Sequence, residues 1–171
     1  MPRYSKYRRT YFNKSYPRKR WASNIVTKNT AVSILANAND AVASEVLCIN
    51  SSQTTNPTPV ILKFGRVKFK GDVRTDLANN NNFVSALISC VFVPQGMSTN
   101  SILEDHPEYI LGWTTVSLDS GNTFSFSTAL KRNLNSGDRI VLLISLNSAV
   151  TSTNQRNFLF YYTVQYWTST S

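Results

Sequence analysis

At 171 residues, 42% of them hydrophobic, the chain is the size of one domain with a substantial core. It carries a formal net charge of +9, but eight of its 18 Lys/Arg fall in the first 20 residues, where there is no acid. The remainder is close to neutral, and no apolar stretch is long enough for a membrane helix or for the core of a secretory leader.

The first 21 residues read as an arm. Arg3, Lys6, Arg8, Arg9, Lys14, Arg18, Lys19 and Arg20 alternate with Tyr4, Tyr7, Tyr11, Phe12, Tyr16 and Trp21. Such a segment repels itself and has too little to bury, so it is expected to be disordered in isolation. Its cations displace counterions from phosphates, which drives binding without regard to sequence. Its rings can stack on unpaired bases, at about 1–3 kcal/mol each. Interleaving of this kind suits a single strand better than a duplex, whose bases are already stacked. Pro17-Arg18-Lys19-Arg20 also fits a nuclear import signal. Pro2 and Pro17 interrupt any helical stripe, which argues against a membrane-surface helix.

From residue 22 to 171 the pattern changes to short β-branched and aromatic runs punctuated by Asn, Ser, Gly and Pro. Eight strands are predicted, at 25–36, 43–49, 60–71, 83–93, 109–117, 123–130, 139–146 and 158–167. In the third, Val60, Leu62 and Phe64 share a face, and then Val67 and Phe69 carry it. The phase slips at Gly65, which predicts a bulge. Lys63, Lys68 and Lys70 then line the opposite face with Arg66 beside the bulge, as a candidate second phosphate-binding stripe. Residues 37–40 read as a turn, and Asp119-Ser120-Gly121-Asn122 as a hairpin turn. In 123–130, Phe124, Phe126 and Leu130 point inward. The run 139–146 is apolar on both faces, as in a central strand or one covered by a neighbouring subunit. One short helix is allowed near 101–106. Eight antiparallel strands at this spacing make an all-β sandwich or barrel, and a jelly roll fits the count.

Catalytic chemistry finds little to build on. His106 is the sole histidine and lies in an acid-rich loop, Glu104-Asp105-His106-Pro107-Glu108. That loop is expected to be a solvated turn, with a hard cation as the less favoured use. No phosphate-cradling glycine loop or zinc spacing occurs, so neither an enzyme nor a cofactor is expected. Cys48 and Cys90 read as buried reduced thiols. The sequons at Asn13 and Asn50 read as chance matches.

Three segments carry a resemblance: FVPQGM at 92–97, HPEYILGW at 106–113 and LKRNLNSGDRI at 130–140. Together with the basic, aromatic N-terminus they resemble capsid proteins of small circular single-stranded DNA viruses, the circovirus-like group. The resemblance implies a single eight-stranded jelly roll, with strands B to I in two sheets ordered BIDG and CHEF. It also implies a shell of sixty copies (T=1) with inward arms, a packaged single-stranded DNA genome, and assembly in the host nucleus using an import receptor. Satellite-virus coat proteins, which package RNA, are similar alternatives. A non-viral single-strand-binding β-barrel is another. Neither charge nor stacking separates DNA from RNA.

Overall fold

A computed structural model describes residues 21–51, 61–75, 84–99, 105–118 and 123–170. The described residues form nine strands: β1 (Ala22–Ile34), β2 (Asp40–Ile49), β3 (Leu62–Thr75), β4 (Val84–Val93), β5 (Ile110–Ser117), β6 (Thr123–Thr128), β7 (Arg132–Leu134), β8 (Arg139–Ser148) and β9 (Arg156–Thr170). They make two antiparallel sheets. One, sheet A, runs β1-β9-β3-β6, with β7 also paired to β3, and the other, sheet B, runs β2-β8-β4-β5. If β7 is set aside and the other strands are lettered B to I in chain order, these are BIDG and CHEF. The fold is a jelly roll.

The strand patterns explain the layers. Along β3, Phe64, Val67, Phe69 and Val73 are buried while Arg66, Lys68, Lys70 and Arg74 face water. Sheet A sends Phe158, Phe160, Tyr162, Val164 and Tyr166 of β9 into the sandwich. Sheet B answers with Ala86, Ile88 and Cys90 of β4 and Ile140, Leu142 and Ile144 of β8. Phe69 stacks on Phe126 at 4.7 Å between centroids, and Phe64 on Tyr166 at 5.4 Å. The predicted bulge is present: the β3–β9 register slips between Phe64 and Val67, which sets Gly65 and Arg66 outside the ladder. β8 lies between β2 and β4, so its two apolar faces are those of a central strand.

The three segments of the capsid resemblance meet around one loop. Asp138, buried before β8, accepts the Gln95 backbone N–H at 3.0 Å and that of Asn135 at 2.8 Å. Gly137 has φ +83°, and a Cβ there would lie 2.6 Å from the Gln95 side chain, so glycine lets the two turns dock without strain. The 106–113 segment packs alongside: Arg132 donates to the Glu108 carbonyl and lies over the Phe92 ring, which meets Tyr109 edge-on.

Three expectations need correction. The hairpin turn expected at 119–122 lies outside the described residues, but the strands that flank it are not hairpin partners: β5 belongs to sheet B and β6 to sheet A. The two strands lie in opposite layers, and turn chemistry does not reveal which sheet follows. Leu130 is exposed rather than inward, since β6 stops at Thr128. A ninth strand, β7, occupies part of what reads as a loop. The short helix expected near 101–106 lies mostly outside the described residues, and a 3-10 turn spans Pro107–Tyr109.

Candidate nucleic-acid interface

The outward side of sheet A collects charge. Pairing places Lys63 beside Ser169, Lys68 beside Gln165 and Lys70 beside Thr163. Asp72 and Arg74 follow on the same side, and Arg66 opens onto it from the bulge. Lys131 reaches the same surface from the loop before β7. Six of the ten basic residues beyond position 21 thus gather here, against one acid among the described residues, Asp72, which accepts from Arg74 Nε at 3.1 Å.

The other four basic residues beyond position 21 bond elsewhere in the body. Lys28 pairs with Glu45, Arg132 donates to the Glu108 carbonyl and Arg139 donates to the Met97 carbonyl. Buried Arg156 donates to Ser148 Oγ at 2.8 Å.

Aromatic rings lie among the six. The Arg74 guanidinium sits 4.6 Å from the Tyr161 centroid, Lys131 Nζ 5.7 Å from Trp21 and Lys68 Nζ 6.0 Å from Trp167. Among the described residues, Trp21, Gly65, Arg66, Lys131 and Trp167 border an open recess of about 410 Å³. Gly65 makes room for it: a Cβ there would stand 2.8 Å from Trp21 Cζ3. A second recess of about 410 Å³ lies further along, bordered by Lys70, Asp72 and Tyr161. An exposed cation–π contact is worth about 0.5–1 kcal/mol. A base stacked on an aromatic side chain gives about 1–3 kcal/mol. A nucleobase can therefore displace an ammonium from an indole face and leave it free for a phosphate.

Of the residues singled out from sequence, Lys63, Lys68 and Lys70 share this surface, with Trp21 at its end. Arg3, Lys6, Arg8, Arg9, Lys14, Arg18, Lys19, Arg20, Tyr4, Tyr7, Tyr11, Phe12 and Tyr16 lie outside the described residues. Sequence reasoning missed Arg74, Lys131, Tyr161 and Trp167. Two signals were available: Tyr161 and Trp167 occupy odd positions in a strand whose even positions face the core, and Arg74 keeps the alternation of Lys68 and Lys70.

Elsewhere, His106 pairs with Glu108 through Nδ1 at 3.0 Å and stacks on Tyr109. A hydrogen bond from its own backbone N–H, and then the one to His106, hold the Glu108 carboxyl below its ordinary range. Among the described residues no group of three or more His, Cys, Asp or Glu could hold a metal. Cys48 and Cys90 are free thiols, and burial raises them to about 11 and about 12.

No protein-family model matches the chain, and no curated protein does. Among solved structures it is similar to the BFDV capsid protein in a decameric form, at 8% identity and a TM-score of 0.42, covering 89% of this chain and 99% of that one. The 60-mer form of the same protein gives 7% identity and 0.42, over 90% and 95%. Desmodium yellow mottle tymovirus gives 11% and 0.33, over 86% and 89%. Likeness of this degree says nothing of what the chain does, which must be read from its own strand order and surface.

Proposed function

We propose that this chain is the coat protein of a small virus, which assembles into an icosahedral shell and packages a single-stranded genome through its N-terminal arm and the outward side of sheet A. The observation that carries the reading is the segregation of charge: a basic, ring-bearing leader enters a jelly roll at the edge of the one sheet face that gathers the body's surface cations. The BIDG and CHEF strand order is one used by viral capsid domains, and also by lectins and cupins, so the charge decides between them. The resemblance at 92–97, 106–113 and 130–140 points to circovirus-like capsids, sixty copies and DNA.

In that shell, sheet A faces the lumen. Eight arm cations and a net five on the sheet give roughly 780 positive charges over sixty copies, from side chains that read no base sequence. Neutralising them lowers repulsion between subunits, so genome binding and assembly are coupled. Exposed apolar residues such as Trp113, Val42 and Ile49 supply contacts between copies. The basic run 18–20 gives access to the nucleus.

The test is expression of the full chain, followed by electron microscopy, sizing, and separate DNase and RNase digestion of extracted nucleic acid. Particles of about 1.2 MDa are expected, from sixty chains of 19.2 kDa. A monomer that binds single strands would instead make this a non-viral strand-binding protein. RNA in the particles would point to a satellite-type coat protein.

A further inference from the structure

We infer that the recess between Trp21 and Trp167 holds an unpaired nucleobase, while Lys131, Lys68 and Arg66 take the phosphates beside it. The inference rests on the function proposed above and adds a mode of binding that depends on bases, not only on charge.

Three independent features converge on this recess. Two of the chain's three tryptophans line it, and Trp21 is 38% exposed where an indole would ordinarily be covered. Each indole has an ammonium stationed over it, at 5.7 and 6.0 Å, so a ring face is available to a cation or to a π-system. Gly65 lies against Trp21 where any side chain would push the ring away, so the β3 bulge keeps the recess open. Among the described residues its lining is indole, backbone and cation. That lining stacks any base and reads no base edge. It also excludes duplex, whose bases are not available.

The test uses the full chain carrying Trp113→Phe, so that both remaining tryptophans line the recess. The probes are a thymidine oligonucleotide, a uridine oligonucleotide and an abasic strand with the same number of phosphates. Either base-bearing strand should quench tryptophan emission and bind roughly ten-fold tighter than the abasic one. Trp167→Leu and Gly65→Ala should each shrink that difference at an unchanged melting temperature. In the unmutated chain, a bound oligonucleotide should protect Trp21 and Trp167 from N-bromosuccinimide oxidation, read by mass spectrometry, so the test survives a variant that fails to fold. Equal quenching and equal affinity for abasic and base-bearing strands overturn the inference. So does a base-dependent difference that persists in a folded Trp167→Leu protein, which would assign stacking to the arm. Salt-dependent strand binding without Trp protection overturns only the recess. For the unmutated chain, a 19.2 kDa monomer that binds no strand overturns the coat-protein reading itself.

Discussion

The two outward sides of the sandwich are built from the same kind of strand and carry opposite surfaces. On sheet A, β3 and β9 put Lys68, Lys70, Arg74, Thr163 and Gln165 into solvent. On sheet B, the equivalent central strands put Val91, Val93, Val141 and Leu143 outward, and these are buried. Met97 and Tyr109, from the connection between β4 and β5, and Ile110, at the start of β5, pack over them. Around this roof Val42, Val46, Ile49 and Trp113 remain exposed. Charges kept for solubility would be mixed in sign and spread over both faces. Concentrating one sign on one side only is an arrangement for a polyanion, and it leaves the other side for packing.

The sharpest way to break the comparison is to place the same substitution on each face. Leu143→Asp buries an unpaired carboxylate under the sheet B roof and should cost about 4 kcal/mol or more. That is a large share of the stability of an ordinary domain, about 5–15 kcal/mol. Thr163→Asp, at an exposed central position of sheet A, should change stability by no more than about 0.5 kcal/mol while weakening strand binding. Urea denaturation measures the first difference and a filter-binding assay the second. Equal stability losses would mean that the two faces are not distinct environments.

The next effect separates the arm from the face. Each phosphate contact to a single strand contributes about 0.7 to the slope of log affinity against log salt. A chain starting at Ala22 lacks the eight arm cations, and its slope should flatten by up to about 6. The full chain with Lys68→Gln, Lys70→Gln and Arg74→Gln should lose about 2, with its melting temperature nearly unchanged. A triple variant with an unaltered slope would leave the arm as the whole of the cationic apparatus.

The legible parts of this molecule are those where one strand's own chemistry decides the outcome. Alternation revealed β3, β4 and β9 to within a few residues, and the slip in phase at Gly65 revealed the bulge. β7 escaped because three residues, with only Leu134 buried, carry no periodicity, and its pairing to β3 supplies what its sequence lacks. The β5–β6 crossing escaped because the choice of sheet is a long-range property. The interface was half legible for the same reason. Lys63, Lys68 and Lys70 share one strand, whereas Trp21, Lys131 and Trp167 come together only through the β1–β9–β3 pairing and the loop before β7.

The smallest effect lies where the two sheets meet. Lys28 of β1 bonds Glu45 of β2, an ion pair between the edge of one sheet and the edge of the other. The hydrogen bond to Glu45 raises the lysine pKa above 10.5, against a smaller opposing effect of burial. A raised folded pKa means that the stabilisation is complete below the unfolded value and is lost as pH climbs through the folded one. Both side chains are more than a third exposed, at 38% and 35%, so solvent screens the pair and it is worth at most about 1 kcal/mol. Lys28→Met should therefore lower stability at pH 7 by no more than that, and 1 M salt should remove most of the difference. The difference should also close as pH rises past 10.5. If it persists there, the lysine stem holds the edges together by packing rather than by charge.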